Sequence, residues 1–141
     1  MSPLILFSPN LTLAGGAFGS LQQSIALCQG QPEYLDFGCD VALPFLRYGE
    51  SEPHTLPASL QVFDVNGNLL FDTWSDASAL IFDPYYASLE TPFWFGDGVN
   101  CEEWSNPDSC GQGVVVGPEY VKALSPCTAM HRFYCVCAGA F

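Results

Sequence analysis

His131-Arg132-Phe133-Tyr134-Cys135-Val136-Cys137 reads as a strand. Successive side chains of an extended chain point to opposite sides, so Phe133, Cys135 and Cys137 share one face and Arg132, Tyr134 and Val136 the other. Two cysteines on one face of one strand compete for the same cross-linking partner.

Working outward, Phe93-Trp94-Phe95 and Val114-Val115-Val116 predict two more buried strands in a loop-rich last third. Upstream, Leu60 to Val65 and Asn68 to Phe71 flank Asn66-Gly67. Asn-Gly between two apolar runs predicts a hairpin whose two turn positions both need positive φ. A helical turn is expected over 73–80 around Trp74, then a strand over Leu80-Ile81-Phe82 before Asp83-Pro84. Leu4 to Phe7 predicts a short strand that Ser8-Pro9-Asn10 ends, since proline removes a ladder donor. Ser20 can cap a helix through Leu21, Ile25, Ala26 and Cys28, stopped by Gly30 and Pro32. Residues 31–57 read as irregular and acidic, with Val41 to Leu46 as a buried apolar piece. The sum is one α+β domain over 1–141, with an N-terminal strand or arm over 1–19 and the motif-bearing core over 20–137.

The composition limits the partners. Of 141 residues 49% are hydrophobic and 13% charged, with 3 basic side chains against 15 acidic and a net charge of −12. Such a surface repels phosphates, which argues against nucleic acid and anionic membranes. It serves solubility, or it attracts calcium or a basic partner. The scarcity of charge leaves apolar area for contact with another protein or for self-assembly. No run approaches the roughly 20 apolar residues of a membrane span. Met1 to Phe7 shows no signal peptide, because it lacks a positive n-region and its apolar run is short. Seven cysteines in so short a chain nevertheless point to an oxidising compartment: an extracellular place or a particle surface, reached after removal of a leader or by another route.

Several of these pieces occur in a known order. Leu69-Leu70-Phe71-x-x-Trp74, Phe93-Trp94-x-Gly96-x-x-Gly98, Cys101-x-x-Trp104, Gly111-Gln112, Cys127 and Phe133-Tyr134-Cys135 resemble, across residues 20–137, the endostatin-like branch of the C-type-lectin-like domains and related bacterial lectin-like modules. The resemblance implies a twisted antiparallel sheet, one or two helices, long loops and nested disulfides. It pairs Cys28 with Cys135 and Cys101 with Cys127. Cys39, Cys110 and Cys137 fall outside that frame, and an odd count leaves at least one free or intermolecular. Heparin binding, which the endostatin branch would imply, is excluded by three scattered basic residues, and its zinc-binding histidines have no counterpart. His54 and His131 stand apart, and Cys135-Val136-Cys137 lacks zinc-knuckle spacing.

The sugar-binding branch of the fold carries a calcium loop. Here Gln31-Pro32-Glu33 comes far too early and Trp104-Ser105-Asn106 lacks the acid at its third position. Asp97, Asn100, Glu102, Glu103 and Asp108 could still supply oxygen ligands to calcium, against the plainer reading of a solvated acidic loop. No other cofactor is implied. Trp94 and Trp104 are expected in the core, and exposed rings are sought at Tyr85, Tyr86 and Phe95, as a contact surface or as a loop folded onto its own core. Asn10-Leu11-Thr12 is a glycosylation sequon, relevant only in a eukaryotic secretory pathway. Cys127 and His131, four apart, suggest a thiol and its base, but a disulfide at Cys127 leaves no nucleophile. With no other catalytic motif, the chain is expected not to be an enzyme. Two functions remain: a surface or extracellular structural subunit, for instance of a virion or appendage, and a recognition module for a glycan or receptor protein.

Overall fold

The closing cysteine-rich strand lies inside a sheet that is covered on both faces. The computed structural model describes residues 3–18, 21–46, 56–81, 83, 85–95 and 112–139. Along the described chain run β1 (Leu4–Phe7), β2 (Leu13–Ala14), α1 (Leu21–Gln29), α2 (Pro32–Asp36), β3 (Val41–Pro44), β4 (Val62–Phe63), β5 (Leu69–Phe71), α3 (Trp74–Ala79), β6 (Phe93–Trp94), β7 (Gln112–Val116), β8 (Lys122–Pro126), β9 (Met130–His131) and β10 (Cys135–Ala138). The class is therefore α+β, with three α-helices among the described residues where one or two are expected.

The main sheet has the order β3-β10-β1-β4-β5. Strand β10 is antiparallel to β1 and β3, β4 is antiparallel to β5, and β1 runs parallel to β4. It is a mixed sheet where an antiparallel one is expected. Smaller antiparallel sheets join β6-β7-β8 and β2-β9. The anticipated single strand from His131 to Cys137 is divided into β9 and β10, and Arg132 between them makes only an isolated bridge to Phe93.

Side-chain alternation sorts the interior into two cores. Leu4, Leu6, Val62, Tyr134, Val136 and Ala138 face one core with Phe45, Trp74 and Phe93. Phe7, Ala42, Phe133, Cys135 and Cys137 face the other with Cys28, Cys39 and Trp94. All four residues of β10 are buried, the expected state of a strand covered on both sides. Burying a Leu or Phe side chain contributes roughly 1.5–3 kcal/mol, so the two cores share the load of holding the sheet.

The disulfides tie the second core together. Cys28 on α1 is bonded to Cys135, the pair the resemblance implies, and Cys39 is bonded to Cys137. The second bond joins Cys39 and Cys137, which the resemblance leaves without assigned partners. It follows from register: β3 lies beside β10 with Ala42 opposite Cys137, which brings the segment before β3 over that sulfur. The two closed loops overlap, Cys28 to Cys135 and Cys39 to Cys137, and neither nests inside the other. Cys127 is also disulfide-bonded, while Cys101 and Cys110 lie outside the described residues.

Local chemistry explains the remaining departures. Gln31 is extended and Pro32 occupies the first turn of α2, a position where a missing N–H costs nothing; the proline opens a helix in a stretch read as irregular. In the β4-β5 hairpin only Gly67 has positive φ. Asp64 organises the turn, its Oδ1 accepting the N–H groups of Asn66 at 2.9 Å and Asn68 at 2.8 Å, so the two-residue mirror-image turn is replaced by a longer Asx-stabilised one. Helix α3 starts at Thr73, whose Oγ1 accepts the Asp76 N–H at 3.1 Å, and stops at Leu80 in the left-handed region. That closure takes Leu80 and Ile81 out of the anticipated strand; Phe82 lies outside the described residues.

Candidate functional site

Where β1 ends and β10 begins, the chain leaves a groove of about 530 Å³. It is lined by Phe7 and the Ser8 to Thr12 segment, by Glu33 and Phe37 of the α2 region, and by Leu89, Glu90, Arg132 and Tyr134. The volume falls in the range of about 300–1,000 Å³ typical of ligand sites.

Two phenols fix the Leu89-Glu90 segment of the lining. The Leu89 N–H donates to Tyr120 Oη at 3.0 Å and the Glu90 N–H to Tyr134 Oη at 2.8 Å. Burial pushes both phenols up from their ordinary pKa. The Arg132 guanidinium pairs with the Glu90 carboxylate. The Asp64 carboxylate on the groove rim is used by its own turn, and it also accepts from Asn68 Nδ2 at 3.1 Å. Glu33 differs from both: its Oε2 is closed off from solvent and receives no hydrogen bond. None of these residues is a site candidate in the sequence, where Tyr134 enters only as part of a fold motif and Glu33 only in a calcium-loop match that comes too early. They come from five separate segments, and no spacing in the chain announces them.

The residues that were marked are dispersed. Tyr85 is 93% exposed, beside Asp83, whose Oδ1 accepts its N–H at 2.9 Å. Tyr86 donates its hydroxyl to Asp72 Oδ2 at 2.8 Å, and that bond, with lesser contributions from desolvation and neighbouring acids, raises its pKa. Phe95 is not an exposed ring. It is 3% exposed and packs on Phe45 at 5.0 Å, because the strand pairing of Phe93 and Trp94 carries the next residue into the first core. Asp97, Asn100, Glu102, Glu103, Trp104 and Asp108 lie outside the described residues, and among the described residues no group of His, Cys, Asp and Glu is placed to hold a metal.

His131 has partners other than Cys127, whose sulfur is taken by a disulfide. Its Nε2 lies 2.9 Å from Ser125 Oγ, and its ring meets Trp94 edge to face at 4.9 Å. Burial lowers the imidazole pKa from its ordinary value. A depressed histidine binds its proton less readily in the folded state than in the unfolded one. It therefore contributes stability above about pH 6.5, which is lost as pH falls through the folded pKa. Urea unfolding midpoints should drop between about pH 7.5 and about pH 5.5, and His131→Gln should flatten that step. An unchanged step in His131→Gln would assign it to other groups.

These features define a disulfide-stapled α+β domain with a groove at one end of its main sheet. No protein-family model and no curated protein matches the chain. Among the described residues no helix is long and apolar enough to cross a membrane, and the disulfides are compatible with an extracellular location.

Proposed function

We propose that the chain is a non-enzymatic surface or extracellular structural subunit with a C-type-lectin-like fold, acting through protein–protein contacts as a component of a particle or appendage. The fold assignment rests on the ordered motifs, and the Cys28–Cys135 bond is consistent with it. The observation that carries the functional reading is the outer strand of the three-stranded sheet. Around β8, Val121, Leu124 and Met130 are 63%, 57% and 58% exposed, and among the described residues β8 pairs on one side only, with β7. An edge strand bearing exposed apolar side chains is a surface that gains by being covered.

Size-exclusion chromatography with light scattering, with and without reductant, tests the assembly reading. The expected result is a species larger than the 15.3 kDa chain that Leu124→Asp converts to monomer. A monomer with intact internal bridges sinks the reading.

Tyr85 supports a second reading, a recognition module for a glycan or receptor protein, because a nearly fully exposed phenol ring suits stacking against a partner. Glycan-array binding that a chelator abolishes would establish its calcium-assisted form, and silence on the array would count against it. Neither reading requires a cofactor in the described residues.

A further inference from the structure

We propose that Asn10 is an N-glycosylation site, which takes one asparagine-linked oligosaccharide as the chain passes through a eukaryotic secretory pathway. Transfer to an asparagine amide needs a residue other than proline next, and a serine or threonine hydroxyl two places on. Asn10-Leu11-Thr12 meets both conditions, whereas Asn66, Asn68, Asn100 and Asn106 have no such hydroxyl. The chain therefore offers a single acceptor.

The placing of that acceptor in the fold favours its use. Asn10 sits at a bend between β1 and β2, where the Leu11 N–H donates to the Pro9 carbonyl at 2.7 Å. Asn10 is the central residue of that three-residue turn. Pro9 is buried and Leu11 half-buried, while Asn10 and Thr12 are both exposed. The apolar members hold the loop to the protein and leave the two acceptor residues in water. Among the described residues neither polar side chain has a hydrogen-bond partner, so a sugar on the amide displaces no contact of the fold.

The disulfides add an argument from the order of synthesis. Cys28 waits for Cys135 and Cys39 for Cys137, both on the last strand. Strand β1, just before the acceptor, likewise waits for β10. Neither native bridge can close until the chain is nearly complete, so Asn10 stays in an unfolded, accessible segment for many seconds of synthesis.

The transfer balances without an oxidant. Asn10 Nδ2 forms a bond to the anomeric carbon of an oligosaccharide carried on a lipid diphosphate. The carbon–oxygen bond to the diphosphate breaks, the lipid diphosphate leaves with the electron pair, and the amide gives up one proton. Asn10 also lines the groove, so the bulky, hydrated sugar keeps that end of the main sheet in solvent. An assembly contact must then leave that end uncovered. The inference does not depend on assembly, since a monomer in light scattering would end that reading and leave Asn10 as it is.

The test is secretion of the full chain, behind a cleavable leader, from cultured eukaryotic cells, with intact-mass spectrometry before and after peptide N-glycosidase. The wild type should carry one glycan increment that the enzyme removes, leaving aspartate at position 10. Asn10→Gln and Thr12→Ala should each lose the increment completely, and Thr12→Ser, which keeps the hydroxyl, should retain it. Non-reducing peptide maps showing both bridges establish that the variants folded. If Asn10→Gln were not secreted, Thr12→Ala decides, and if the wild type were not secreted, the same masses are read on the protease-protected chain inside the cells. An exported wild type with both bridges and no sugar would overturn the proposal. So would an enzyme-sensitive sugar that persisted in Asn10→Gln and Thr12→Ala.

Discussion

Replacing Cys28, Cys39, Cys135 and Cys137 together by alanine is expected to abolish cooperative unfolding, while removing either bridge alone leaves a folded chain about 3 kcal/mol less stable. The asymmetry follows from the overlap of the two loops. With neither bridge present, closing Cys28 to Cys135 restrains a span of 107 residues, which in the chain-entropy picture is worth about 4.7 kcal/mol. Once that bridge exists, Cys39 and Cys137 are joined by a far shorter path. It runs eleven residues back to Cys28, across the sulfurs, and two residues on from Cys135. Closing a ring of that size adds about 3 kcal/mol, and the same holds with the bridges exchanged. Each bond thus backs up the other against opening of the long loop. Loss of both removes about 7–8 kcal/mol, comparable to the whole stability of many small domains. Urea titrations of the two single-bridge variants and the four-cysteine variant check this. Losses near 5 kcal/mol from each single deletion would mean that the loops act independently, and the overlap argument would fail.

That redundancy explains why the cysteine pattern was only partly legible. The resemblance supplied Cys28 and Cys135, but Cys39–Cys137 depends on β3 lying beside β10 in one register. Register is a long-range property that no local spacing encodes. The strands themselves divide in the same way. Leu4–Phe7, Val41–Pro44 and Cys135–Ala138 are apolar runs buried by covers on both sides, so hydrophobicity announces them. Strand β8 gave no such signal, because Lys122, Ala123, Leu124 and Pro126 are exposed and only Ser125 is buried. An edge strand is held by its backbone ladder with β7, and the ladder is nearly indifferent to side chains.

Short helices and turns failed for a different reason. Pro32 stops α1 and opens α2, and both roles use the same fixed φ and missing donor. Asn66-Gly67 correctly marked the hairpin, yet the carboxylate of Asp64 two positions earlier decided its geometry. The groove was the least legible part. Glu33, Glu90 and Arg132 meet only after α2, the segment before β6 and the link between β9 and β10 have been placed around the end of β1. A pattern distributed over such distant positions leaves no trace in periodicity or spacing.

Trp94→Ala is expected to cost about 3–5 kcal/mol for the cavity it opens. Trp94 is fully buried in the disulfide-bearing core. Its indole Nε1–H donates to the Leu13 carbonyl at 2.8 Å, and its ring lies against His131. Leu13 and His131 are themselves partners in the β2-β9 ladder, so a single side chain supports both strands of the small sheet from below. Alanine removes the filling, the hydrogen bond and the ring contact together. Trp94→Phe restores much of the filling but not the hydrogen bond, and should cost about 1–2 kcal/mol. A second readout separates this account from unspecific loosening. Desolvation holds the His131 pKa below its ordinary value, and part of the shielding surface is the Trp94 ring. In Trp94→Ala, water reaches the imidazole and its pKa should rise toward about 6.5, observable in an NMR titration of the His131 ring protons. The pH-dependent step in stability should shrink with it, because folded and unfolded pKa values then converge. A Trp94→Ala protein that lost stability while His131 kept its depressed pKa would show that the indole supports the core without shielding the histidine.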